Sequence, residues 1–118
     1  MKGAEALGVH LLVELGGVAP ARLSDEALAR RMIAAAAERL GVTIVRGPEV
    51  VIFPGGGLTA FAVLAESHIS MHTFPERGLA AIDVFTCGER DPELALPILR
   101  DALGAERASV RRVVRTLG

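Results

Sequence analysis

The sequence predicts an α+β fold: a two-layer α/β sandwich with a mainly antiparallel sheet, helices on one face of it, and the other face stacked on the sheet of a second copy. Three observations point there. Short β-rich runs separated by glycine and proline recur along the chain. Only two stretches carry helical punctuation, one opening near Ser24 and one at Asp91. Residues 58–65 and 82–85 are apolar at almost every position, so helices on one side of the sheet would leave an apolar face in water. A second copy related by a two-fold axis is the usual cover for such a face.

Residues 8–15 form the first expected strand, with Val9, Leu11, Val13 and Leu15 on one face and His10, Leu12 and Glu14 on the other. Gly16-Gly17 ends it. The first helix is expected from an N-cap at Ser24, with Asp25 and Glu26 favouring the positive end of its dipole. It runs through Leu28, Met32, Ile33 and Leu40 and stops at Gly41, where a left-handed residue is needed. Residues 42–45 and 50–53 read as two strands broken by Gly47-Pro48. The run Pro54-Gly55-Gly56-Gly57 reads as a hairpin loop, because it lacks the Gly-Lys-Ser/Thr ending of a phosphate cradle. A strand over 58–65 follows. The second helix has Asp91 at its N-cap, Pro92 at N1 and Gly104 at its end, with Leu94, Ile98, Leu99, Ala102 and Leu103 as its apolar face. Residues 108–116 read as a last strand, and Arg107, Arg111, Arg112 and Arg115 suit an edge that resists aggregation.

A chain of 118 residues makes one domain, 1–118, burying about 65% of its unfolded surface. Four phenylalanines are its only aromatic residues, so Leu, Val, Ile and Ala must build the core. A formal charge of -1 gives no sign of a nucleic acid or membrane partner. A single cysteine allows no internal disulfide and favours a reducing, cytoplasmic setting. His10 and Glu14 interrupt the apolar N-terminal run, which reads as a strand and not as a secretory signal.

The chemistry is concentrated in Ala65-Glu66-Ser67-His68-Ile69-Ser70-Met71-His72-Thr73-Phe74-Pro75-Glu76 and, after a short turn, Ala81-Ile82-Asp83-Val84-Phe85-Thr86-Cys87-Gly88. Two β-rich runs, 69–74 and 79–86, flank the loop Pro75-Glu76-Arg77-Gly78. If Phe74 faces Leu79, opposed residues sum to 153, so Ser67 lies opposite Thr86 and Cys87 opposite Glu66. Directly opposed Cβ atoms are about 4.5–5.5 Å apart. The spacing therefore sets the lone thiol beside the Glu66-Ser67 bond. His72 is five residues from Ser67, an odd offset that puts the two on opposite faces of a regular strand. Either the backbone turns near Glu66-Ser67, or the partner of each comes from another strand or subunit. Asp83 is left between supporting this site and pairing with Arg77. His10 reads as structural. His68 and His72 share a face with no cysteine pair to close a metal site, so no metal is expected.

These residues resemble the signature of the prokaryotic S-adenosylmethionine decarboxylase proenzyme family: Glu-Ser-His, then His-Thr, then Pro-Glu, then Asp-x-Phe-Thr-Cys-Gly. The likeness is dense over residues 65–88 and continuous from about 8 to 115. It implies that the chain cleaves itself at Glu66-Ser67 into a 1–66 β chain and a 67–118 α chain. Ser67 becomes a covalent pyruvoyl group that forms a Schiff base with the substrate amine and takes up the electrons of the departing carboxylate. It further implies that His72 assists processing, that Cys87 is the proton donor, and that Glu76 and Phe53 contact the nucleoside end of the substrate. Thr59 stands where family members often carry a processing serine. It keeps the hydroxyl with fewer rotamers, and is a candidate processing aid. The implied reaction is pyruvoyl-dependent decarboxylation of S-adenosylmethionine to S-adenosylmethioninamine for spermidine synthesis, in a homodimer with its sites at the interface. An arginine decarboxylase of the same fold and a non-catalytic dimeric module are the alternatives.

Overall fold

The computed structural model describes residues 5–88 and 90–117. In chain order the elements are β1 (Ala6–Gly16), α1 (Pro20–Leu23), α2 (Glu26–Leu40), β2 (Ile44–Ile52), β3 (Leu58–Leu64), β4 (Ser67–Phe74), a 3₁₀ turn (Pro75–Arg77), β5 (Leu79–Cys87), a second 3₁₀ turn (Pro92–Ala95), α3 (Leu96–Leu103) and β6 (Arg107–Thr116). The strands form one antiparallel sheet in the order β2-β3-β4-β5-β1-β6. The helices cover one face of it, which gives the expected two-layer architecture.

Alternation decides which side chains meet the helices. Val9, Leu11, Val13 and Leu15 of β1, Ile82 and Val84 of β5, and Ile69 and Met71 of β4 are buried. All of these but Val9 pack with Ala29, Met32, Ile33, Ala36, Ala37 and Leu40 of α2 and with Leu99 and Leu103 of α3 in one cluster. The alanines of α2 carry no bulk beyond Cβ, so the helix sits close to the pleat. Leu99 is fully buried, and Leu99→Ala is expected to cost about 2–5 kcal/mol for lost transfer energy plus a cavity. A denaturation midpoint lowered at unchanged slope checks this.

The other face has no helical cover. His10, Leu12 and Glu14 point there from β1, Ala81, Asp83 and Phe85 from β5, His68, Ser70 and His72 from β4, and Thr59, Phe61 and Val63 from β3. Phe61 is 36% and Val63 41% exposed, but His10, Glu14, Asp83, His68, Ser70, His72 and Thr59 share this face, so it is mixed and not the largely apolar face that the sequence led us to expect.

Three local expectations fail, one of them at the second helix: Asp91 and Pro92 open a 3₁₀ turn, the α-helix begins only at Leu96, and Leu94 is exposed and not part of the buried face. Ser24 does not cap the long helix: it closes the single helical turn α1, which starts at Pro20, and the N-cap of α2 is Asp25, whose carboxylate accepts the Leu28 N–H at 3.0 Å. Gly47-Pro48 does not split the chain into two strands either. β2 runs through it, with its register against β3 shifting between Ile44 and Arg46 and again before Glu49. An edge strand tolerates proline, because a missing N–H there breaks no ladder on its outer side. Gly41 and Gly104 end α2 and α3 in the left-handed conformation, as their positions required.

Candidate active site

The β4–β5 register is the one the sequence arithmetic gave: Phe74 opposes Leu79, His72 opposes Ala81 and His68 opposes Phe85. At the other end of β4, Leu64 pairs with Ser67 across a two-residue turn made by Ala65 and Glu66. Glu66 has φ +61°, the only positive value at a non-glycine residue among those described. A side chain there costs roughly 1–2 kcal/mol, and such outliers persist where surrounding structure enforces them. The strained residue carries the carbonyl of the Glu66-Ser67 bond.

Three polar groups meet at that bond. The buried Ser67 hydroxyl accepts the Cys87 backbone N–H at 3.3 Å and points its O–H at Cys87 Sγ, 4.0 Å away. The half-buried Cys87 thiol is directed at Glu66 Oε1 at 3.8 Å. Glu66, Ser67 and Cys87 are thus grouped as expected.

A second group lies along the same strands. Thr59 on β3 opposes His72 on β4, and Thr59 Oγ1 is 2.9 Å from His72 Nδ1. Both line a cavity with Phe53, Phe74, Glu76 and the glycine loop between β2 and β3. Phe53, Thr59, His72 and Glu76 therefore share one site, but Ser67 is not part of it. Five residues of strand separate Ser67 from His72, about 16 Å at 3.3 Å per residue, and Ser67 faces the helices while His72 faces the open side. The turn at Glu66 does not fold His72 back onto its own Ser67.

Sequence reasoning missed a third group. Asp83 Oδ2 accepts from His10 Nε2 at 2.7 Å and from His68 Nε2 at 2.9 Å, while Asp83 Oδ1 accepts from the Ser70 hydroxyl. Burial alone would push the Asp83 carboxyl pKa up. The hydrogen bonds from Ser70, His68 and His10, with the charge of His68, outweigh burial and hold it below the ordinary carboxylate value. The His68 ring also stacks on Phe85, with centroids 6.0 Å apart and planes at 27°. Arg77 does not pair with Asp83; its guanidinium lies 5.9 Å from the Phe74 ring centre. The hairpin register alone would have paired Ser70 with Asp83. The place of His10 depends on β1 lying beside β5, which no local spacing reveals. His10, His68 and Asp83 could in principle ligate a cation. In this structure their atoms are joined by hydrogen bonds of 2.7 and 2.9 Å.

Fold and site together define a small α+β protein with serine, thiol and imidazole groups distributed over one sheet. A family model described as S-adenosylmethionine decarboxylase matches residues 9–116. The chain is 49% identical over 106 residues to an S-adenosylmethionine decarboxylase proenzyme of Parasynechococcus marenigrum, covering 89% of this chain and 82% of that one. It is 41% identical over 110 residues to a proenzyme of the same description from Methanococcus vannielii, covering 92% and 89%. The crystal structure of the adenosylmethionine decarboxylase from Aquifex aeolicus superposes with a TM-score of 0.85 at 30% identity, covering 98% of this chain and 95% of that chain. The chain belongs to the S-adenosylmethionine decarboxylase family. No helix among the described residues is long and apolar enough to cross a membrane.

Proposed function

We propose that this chain is a single-domain proenzyme, residues 1–118, which cuts itself between Glu66 and Ser67 and then decarboxylates S-adenosylmethionine to S-adenosylmethioninamine, the aminopropyl donor for spermidine. The supporting observation is the strained Glu66 turn that places Ser67 Oγ and Cys87 Sγ 4.0 Å apart at one peptide bond. Ser67 Oγ attacks the Glu66 carbonyl carbon, exchanging the amide for an ester and freeing the Ser67 nitrogen. Elimination then removes the Ser67 Cα proton as the Cβ–Oγ bond breaks, forming a Cα=Cβ double bond and leaving that oxygen on Glu66 as a carboxylate; the enamine so formed shifts to an imine. Water then replaces the nitrogen, ammonia departs, and residues 67–118 carry a pyruvoyl end. The residues around position 67 fit such a group, since a small buried side chain there already has a proton donor against it. Its ketone supplies the electron sink that no ordinary side chain offers. Cys87 delivers a proton to the carbon that has lost carbon dioxide, and Phe53 and Glu76 surround the nucleoside and sulfonium charge. The relatives' descriptions favour S-adenosylmethionine over arginine.

The working site is formed by two copies. Ser67 and His72 of one chain are about 16 Å apart along the strand. A two-fold axis lying between stacked open faces and crossing the strands near Ser70 reverses strand direction. It lays the end of one protomer that carries the Glu66-Ser67 peptide bond and Cys87 over the Thr59, His72, Phe53 and Glu76 end of its partner, so that His72 approaches that bond from the open side while the Ser67 side chain stays on the helix side. The same stacking buries Phe61 and Val63. Mixed dimers test it. His72→Ala alone is expected to slow cleavage by about 10²–10⁴-fold, as for a lost acid–base group. Co-expressed with Ser67→Ala, the His72→Ala chain regains cleavage in the mixed dimer, because its own Glu66-Ser67 bond meets an intact His72 from the partner. No recovery on mixing, or a monomer at micromolar concentration in the ultracentrifuge, refutes the shared site.

A further inference from the structure

We propose that Asp83 is the anchor that holds the newly made end of the 67–118 chain in position after cleavage, acting through His68 as a positioning residue for the reacting group at 67. The inference rests on the self-cleavage proposed above. Before cleavage, residue 67 is held by its bond to Glu66 and by the hydrogen bond that its Oγ accepts from the Cys87 N–H. Conversion removes both the Ser67 nitrogen and the Ser67 Oγ. β4 then begins at a free end, and chain ends fray unless something ties them down.

The structure supplies a tie one residue away. His68 keeps its ladder positions opposite Val63 and Phe85. Its Nε2 donates to Asp83 at 2.9 Å and its ring stacks on Phe85, and conversion at 67 touches neither contact. Asp83 is itself held from two other sides, by Ser70 of β4 and by His10 of β1. One carboxylate therefore joins β4 at positions 68 and 70 to β5 and β1, directly behind the reacting residue. Neither Asp83 nor His68 comes within hydrogen-bond distance of Ser67 or Cys87 among the described contacts, so their effect on the chemistry is through placement. A displacement of about 1 Å at a reacting centre can cost about 10²-fold in rate.

Asp83→Asn and His68→Phe test the anchor; the second keeps the ring stack and removes only the donor. Both are expected to be cleaved within about threefold of the wild-type rate, since the joined chain holds residue 67 without help, and to lose about 10- to 100-fold in kcat. His68→Gln, which keeps an N–H donor, is expected to recover part of that loss. Hydrogen exchange supplies a readout that a plain structural role would not give. In cleaved Asp83→Asn, the amides of residues 68–71 are expected to exchange about tenfold faster than in cleaved wild type. In the uncleaved Ser67→Ala background, adding Asp83→Asn leaves those amides unchanged. Equal slowing of cleavage and decarboxylation, the same exchange increase in the uncleaved background, or an unchanged kcat overturns the anchor while the proposed function stands. A wild-type protein that is never cleaved overturns both.

Discussion

A Ser67→Ala variant is expected to remain one intact chain of 118 residues and to lose decarboxylation by at least about 10⁴-fold. The two effects share one cause. Without Oγ nothing attacks the Glu66 carbonyl, and without that attack no ketone forms to take up the electrons of the departing carboxylate. The variant should fold, because the only side-chain bonds removed are those at Oγ, chiefly the 3.3 Å contact from the Cys87 N–H. That loss costs about 1 kcal/mol. Intact mass decides the cleavage, and carbon dioxide release from S-adenosylmethionine decides the activity. In the wild type the same mass spectrum should show two fragments divided between Glu66 and Ser67, the second with a blocked terminus that borohydride traps. Continued cleavage in Ser67→Ala would refute the nucleophile. A wild type that persists as one species would favour a non-catalytic dimeric module.

What the sequence revealed was what short range controls. Pro75-Glu76-Arg77-Gly78 is a loop of fixed length, so one pairing, Phe74 with Leu79, set the register of two strands and put Cys87 next to Glu66. Asp91, Pro92 and Gly104 marked their helical segment because capping is a local backbone requirement. The failures came where two local signals competed or where the answer was not local. Ser24 and Asp25 are both good caps, and the choice went to Asp25 because Pro20 had already started a separate turn that ends at Ser24. Gly47-Pro48 looks like a strand breaker, yet an edge position and two register shifts absorb it. The offset of His72 from Ser67 was legible as a mismatch of faces, and the structure turns that mismatch into a separation along β4. The Asp83 group needed β1 to be placed beside β5, a pairing between residues some seventy positions apart that periodicity cannot give.

Cys87→Ala is the second large effect, and it separates building the reactive group from using it. The thiol lies 4.0 Å from Ser67 Oγ, at the residue that the proposed conversion turns into the reacting group. Self-cleavage needs the Ser67 hydroxyl and not the thiol, so Cys87→Ala should still split into 1–66 and 67–118. Its kcat should then fall by about 10²–10⁴-fold, the contribution of a positioned general acid. Loss of folding would not explain such a drop: Cys87 is only half-buried, and truncating it should cost about 1 kcal/mol. Cys87→Ser gives the sharper comparison. A hydroxyl occupies nearly the same place and can still bond Glu66, but an alcohol is a far weaker acid than a thiol. If proton donation is the role, Cys87→Ser should recover little of the lost rate. If the sulfur merely fills space against Ser67, Cys87→Ser should approach the wild-type rate. A cleaved Cys87→Ala protein with undiminished kcat would remove Cys87 from the reaction and leave the source of the proton to another group at the interface.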